Sequence, residues 1–351
     1  MFILIALCFS GFFLLLELTG LSKFISRYLA VTPLFFLFAM VAFNRDNRDY
    51  FNYERAFYDE YFRDSFEPGY GLLIEVLKSI GLGHEGIIFI AGSLLIVTML
   101  RMLKGSLNVN LVVFFYCAFP LIYDINQTRN LIMYLVLVLA LIYVVENKKI
   151  KFYLMMLTAA SFHLIGLFYI PFYWFSKWDR KKFMRVLKLT TITLGIGAPL
   201  VITGLSLLFP DKAGYYLNRP PGYGIILYFV CAIFDYFTVW WVDKKIGLNI
   251  VEDEKPRMEV MYRFVWFPVI SLPFLFFFAE FSRIQRNVLL VKYIYCAIAM
   301  KYMNIKQRLI TVFLLLIPVS IYTFVVFQYR QFDLYNYLDE NFIKYYLDRY
   351  F

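Results

Sequence analysis

Eleven long apolar runs govern what this chain can become. They centre on 1–16, 28–44, 86–100, 108–123, 131–145, 152–176, 189–210, 220–234, 264–279, 284–300 and 309–327. A helix needs about 20 apolar residues to cross a bilayer. Barrel strands would be about 10 residues long with alternating polarity, a poor match to the length and spacing of these runs. In hydrocarbon the backbone N–H and C=O groups must be satisfied internally, which favours helices. Of the 351 residues 62% are hydrophobic and 17% charged, against about 45–50% and about 25% in soluble domains. That balance excludes a soluble enzyme, a disordered chain and a nucleic-acid-binding domain on an anchor. The expectation is an all-α polytopic integral membrane protein, a single transmembrane domain over 1–351, with about ten transmembrane helices.

The net charge is +10, and the placement of Lys and Arg orients the chain, because basic residues collect in cytoplasmic loops. With the N-terminus outside, 20 of the 35 basic residues fall on the inner side and 10 on the outer. This holds only if the run 152–176 does not cross, since the basic clusters 147–151 and 177–188 flank it. A re-entrant helical hairpin over 152–176, with its apex near Ser161-Phe162-His163, meets that condition. Arms of about 15 residues would reach about 22 Å at 1.5 Å per residue. Outside lie an acidic loop, 44–70, and a Pro/Gly/Tyr loop, 210–224; the aromatic, charged tail 328–351 reads as interfacial. Asp235 and Lys292 sit deep in spans. Charges at that depth usually find partners, so the two either pair with each other or separately snorkel or face a wet cavity. Cys8, Cys117, Cys231 and Cys296 all lie in apolar runs, without metal or redox spacing.

On this topology the outer polar residues include three arginines at helix ends. Arg129 opens a span after Asp124-Ile125-Asn126-Gln127, and Arg283 and Arg286 share a helix face. A guanidinium fork suits the oxygens of a pyrophosphate. Snorkelling anchors at the interface would use the same residues. Glu67-Pro68-Gly69-Tyr70 ends the acidic loop and begins a helical stretch. Proline restricts Glu67 to extended geometry, which fits either a presented carboxylate or a plain helix start. Asp49, Tyr50 and Tyr53 offer carboxylate and aromatic surface to a sugar, or simply a solvated loop. His163 is one of two histidines, and is either a satisfied core residue or a base or phosphate ligand.

Taken in order, these pieces resemble the EpsG family of Wzy-type bacterial polysaccharide polymerases. The matching motifs are Asp49-Tyr50-(x)2-Tyr53, Glu67-Pro68-Gly69-Tyr70 and Gln127-Thr128-Arg129-Asn130. The basic turn 147–151, Ala159-(x)2-Phe162-His163 and Arg283-Ile284 complete the set, which spans about 45–290. The family usually has Gln where this chain has Asn130. The resemblance implies a glycosyltransferase acting on undecaprenyl-pyrophosphate-linked oligosaccharide repeats at the outer face of the bacterial cytoplasmic membrane. It implies no nucleotide sugar, metal or other cofactor, and no nucleic acid. Its partners would be the lipid-linked glycan, the bilayer and, in the same pathway, a chain-length regulator. Glu67 is then the leading catalytic carboxylate, with Asp49 and His163 as alternative bases. Arg129, Arg283 and Arg286 would bind the pyrophosphate, Arg286 as a screening charge. Tyr53, Tyr70, Gln127 and Tyr215 are candidate substrate contacts. A lipid-linked oligosaccharide flippase or other transporter, or an O-antigen-ligase-like transferase, is the competing class.

The charge count makes a direct prediction. Single cysteines probed from outside with an impermeant thiol reagent should react at residue 215 and stay silent across 177–188. Outside labelling of 177–188 would remove the hairpin and invert everything downstream.

Overall fold

The computed structural model describes residues 2–19, 28–45, 49–104, 108–208, 224–247 and 250–329. Among the described residues every regular element is a helix and no strand occurs. Six helices are long and apolar enough to cross a membrane: Glu85–Met102, Thr128–Val145, Arg180–Gly204, Ile225–Ile246, Lys255–Phe276 and Ile305–Phe324. Four shorter apolar helices accompany them, Ile3–Leu18, Val31–Ala42, Val109–Ala118 and Leu164–Ser176. Fewer helices therefore reach full length than the apolar runs suggested. The run 108–123 shows why: its helix stops at Ala118, just before Pro120, whose ring cannot continue the hydrogen-bond ladder. Such breaks are tolerated at membrane depth where protein covers them, and Phe119 is 1% exposed.

Thr128–Val145 is buried on nearly every side, packed by Lys149–Phe162, Glu85–Met102 and Lys255–Trp266. A helix that is apolar all round belongs in such a core. Arg180–Leu208 lies at the rim, where Leu189, Ile192, Ile196 and Leu200 are exposed.

Polar contacts sort the connecting segments into two sets at opposite ends of these helices. At one end Arg257 donates to the Lys104 carbonyl at 2.9 Å and Lys177 to the Val144 carbonyl at 2.9 Å. There too Arg180 pairs with Asp243 at 2.6 Å and Lys301 with Glu254 at 2.9 Å. At the other end Arg45 pairs with Glu85 at 3.1 Å, Asn44 donates to the Ile125 carbonyl at 3.1 Å, and Glu67 pairs with Arg129. These are the same two groups of segments that the Lys and Arg count separated.

The segment 149–176 returns to its own start. Lys149–Phe162 stops at His163, whose extended backbone (φ −159°, ψ 126°) reverses the chain into the 3-10 turn Leu164–Tyr169 and the helix Phe172–Ser176. The arms lie side by side, with the Tyr153 and Trp174 rings 5.2 Å apart. Gly166 makes the closeness possible, since a Cβ there would stand 2.9 Å from the Ala160 nitrogen. The acidic stretch 44–70, expected as a loop, is largely helical, with helices Tyr50–Tyr58 and Glu60–Arg63. Residues 209–223, including Tyr215, and the tail from 330 lie outside the described residues.

Lys292 and Asp235 form an ion pair in the core, 0% and 6% exposed, and the Tyr322 hydroxyl donates to Asp235 Oδ2 at 3.1 Å. The trio ties Leu289–Ala299, Gly224–Ile246 and Ile305–Tyr329 together. Removing one member leaves the other charge uncompensated, which costs about 3–5 kcal/mol in buried pairs. Thermal unfolding in detergent should therefore show Asp235→Asn and Lys292→Met each strongly destabilised, with the double variant recovering part of the loss. Strict additivity would mean that the two side chains act independently.

Candidate functional site

The site is assembled from helix starts and a reversal. Pro68 occupies the first turn of Pro68–Ser79 and holds Glu67 extended at φ −67°, ψ 147°. A carboxylate here could cap its own helix, yet it makes no such bond. It pairs instead with Arg129, and its Oε1 accepts the Leu164 N–H at 3.4 Å. Gly69 permits this approach, because a Cβ would come within 2.8 Å of the Ser161 carbonyl oxygen at the hairpin tip. Arg129 starts its own helix and lies with its guanidinium carbon 4.1 Å from the Phe66 ring centre and 5.8 Å from that of Tyr53. Tyr53, Phe66 and Tyr70 pack on one another, with centroids 5.6–6.0 Å apart. Tyr53 and Tyr70 are buried at 6% and 0% exposure; they form the bed under Arg129.

His163 faces Arg283, with 3.5 Å between Nε2 and Nη1, while its Nδ1 accepts the Ile165 N–H at 3.3 Å. A neutral imidazole accepts at one nitrogen only. With Nδ1 accepting, the proton sits on Nε2 and points at a second donor. Burial first, then the charges of Arg283, Arg129 and Arg286, lower the His163 pKa from 6.5 to about 3. Arg283 also pairs with Glu280 at 2.7 Å.

Arg286 lies deeper. Its side chain is 3% exposed, donates to the Gln127 amide oxygen, stands 3.8 Å from Asp124 and lies 4.5 Å from the centre of the Tyr123 ring. Asp124 accepts from Tyr116 at 2.7 Å and from Tyr134 at 3.3 Å. Asn130 donates to Asn287 at 3.0 Å and so joins the Arg129 helix to the Arg283–Arg286 turn.

Of the candidates chosen from sequence, Glu67, Arg129, His163, Arg283, Arg286 and Gln127 meet at one end of the bundle. Asp49 lies half-buried at the start of Tyr50–Tyr58, and Tyr215 falls outside the described residues. Sequence reasoning missed Asp124, Tyr116, Tyr134, Asn287 and Glu280. Asp124 had one visible signal, a lone carboxylate closing an apolar run. The others carried none, because only the helix packing brings them in. Among the described residues no group of three or more His, Cys, Asp or Glu stands close enough to hold a metal ion.

A multi-pass helical membrane protein with an arginine–carboxylate centre at one end of its bundle is the class these features define. The EpsG family profile matches residues 27–345, and the chain belongs to that family. Membership carries the expectation of a glycosyltransferase-like polysaccharide polymerase. No curated protein and no solved structure matches the chain.

The histidines supply a pH prediction. An ordinary imidazole titrates near about 6.5, whereas His163 is lowered to about 3 and His84, chiefly by burial, to about 4. The unfolded chain then binds the extra proton. The neutral rings' contribution to stability is complete above about pH 6.5 and is lost as pH falls below it. Nitrogen NMR of histidine-labelled protein, assigned with His84→Gln, should show both rings neutral at about pH 5.5. A charged His163 ring there would overturn this placement.

Proposed function

We propose that this protein is a glycosyltransferase that polymerises undecaprenyl-pyrophosphate-linked oligosaccharide repeats at the outer face of the bacterial cytoplasmic membrane. The observation that carries the proposal is the meeting of Glu67, Arg129, His163, Arg283 and Arg286, drawn from four distant segments, at the end opposite the lysine-rich loops. Family membership supports the reaction class. The basic asymmetry supports an outward site, reached by ten crossings with 152–176 as a re-entrant hairpin whose tip enters the site.

The donor is a growing glycan on its pyrophosphate carrier. A hydroxyl of the acceptor repeat attacks the donor's anomeric carbon. The bond from that carbon to the pyrophosphate oxygen breaks, its electron pair leaves with the carrier, and the hydroxyl proton passes to the Glu67 carboxylate. Negative charge grows on the leaving group, so fixed donors aimed there lower the barrier. Arg129, Arg283 and the His163 Nε2–H fill that role. Arg286 acts as a positioning residue through Gln127 and Asp124. Tyr53 and Tyr70 set the height of Arg129, Asp49 is the runner-up base, and Tyr215 is a candidate acceptor contact.

Polymer formation from purified lipid-linked repeats tests the assignment. Lysine keeps the charge and loses the planar fork, so Arg129→Lys and Arg283→Lys should each lose about 10²–10³ in rate. Arg286→Lys, expected from sequence to be mild, should be no milder, because it disturbs a buried contact with Asp124. Full activity of the first two variants would leave these arginines as interfacial anchors. In a producing host, deletion should make single lipid-linked repeats accumulate outside; accumulation inside would indicate a flippase.

A further inference from the structure

The reaction needs a carboxylate able to take a proton, yet Glu67 stands against a guanidinium. A carboxylate oxygen that accepts from a guanidinium is not free to accept from a substrate hydroxyl. The arginines of the site differ in how firmly their carboxylates hold them. Arg286 and Asp124 are sealed, with side chains 3% and 1% exposed. Arg129 and Glu67 are open to a ligand at 19% and 15%. The buried Arg129 Nε–H has no acceptor, so this guanidinium has donor capacity that Glu67 does not use. Glu67 has a second hold, because Oε1 accepts the Leu164 N–H at 3.4 Å, one residue from His163 and its contact with Arg283. The carboxylate can therefore lose Arg129 and keep its place on the hairpin tip.

Resting on the polymerase reading, we propose that Glu67 is a resident stand-in for the donor's pyrophosphate, and that donor binding takes Arg129 from it and so frees its Oε2 to accept the acceptor's proton. The pyrophosphate, a dianion when substituted at both ends, bridges Arg283 and Arg129 and outcompetes a single carboxylate for the guanidinium. Glu67 stays on the Leu164 N–H, beside the anomeric carbon, with Oε2 free. Tyr53 and Tyr70 stay under Arg129 throughout. The carboxylate oxygen is then free only while a donor is bound, which ties deprotonation of the acceptor to the presence of a leaving group.

Competition sets a sign that a structural role for Glu67 would not. Binding of a short-chain prenyl-pyrophosphoryl sugar to the full chain in nanodiscs is the measurement. Glu67→Gln should bind it about tenfold tighter than wild type while making no polymer, and Arg129→Gln should bind about tenfold weaker. Thermal unfolding of each variant checks that the fold is kept. If Glu67→Gln does not fold, Glu67→Asp serves instead: its shorter arm loosens the pair, so binding should tighten with residual polymer formation. A folded Glu67 variant that binds equally or more weakly overturns the exchange and leaves the polymerase reading standing, provided wild-type binding depends on Arg283. Wild-type binding that is absent, or unaffected by Arg283→Gln, overturns that reading and the exchange with it.

Discussion

A charge taken out of water must meet its opposite, and that requirement organises this protein. Lys292 meets Asp235, Arg286 meets Asp124, Arg129 meets Glu67 and Arg283 meets Glu280. Each of the first three joins segments far apart in the chain, so pairing and helix arrangement depend on one another. The deepest pair is fully enclosed and carries a tyrosine hydroxyl besides. Arg286 with Asp124 is as enclosed, whereas the Arg129–Glu67 and Arg283–Glu280 pairs are partly exposed.

Precision at the site comes from backbone approach more than from the charged groups. Gly69 sets the start of one helix against Ser161, and Gly166 lets the two arms of the hairpin close. Together they bring the Leu164 N–H to the Glu67 carboxylate and the His163 ring to Arg283. A methyl group at either glycine would sit within about 3 Å of backbone atoms, where nothing flexible can give way. The Glu-Pro-Gly-Tyr motif is therefore mechanical as a unit: Pro68 extends Glu67, Gly69 admits the hairpin and Tyr70 supports the arginine bed.

Much of the centre was legible because its residues are chemically out of place. Glu67 before a proline, Arg129 at the opening of an apolar run and Lys292 inside another each demand an explanation, and depth alone made Asp235 one candidate partner for Lys292. The tyrosines were harder. Tyr53 offers aromatic surface for a sugar in sequence and Tyr70 a candidate substrate contact, and packing buries both beside Arg129. Asn130 and Asn287 lie 157 positions apart, and nothing in either local sequence joins them.

The sequence by itself determined the helical membrane architecture, the sorting of segments into two ends and the residue types of the site. Hydrocarbon permits few backbone solutions, and basic residues distribute unequally across a membrane; both effects act on composition and spacing. Tertiary structure decided which carboxylate holds which arginine, that His163 stands against Arg283, and that Arg286 is enclosed while Arg129 is partly exposed. Those outcomes depend on distances of a few ångströms between segments that meet only when the bundle closes, and no local pattern encodes such distances.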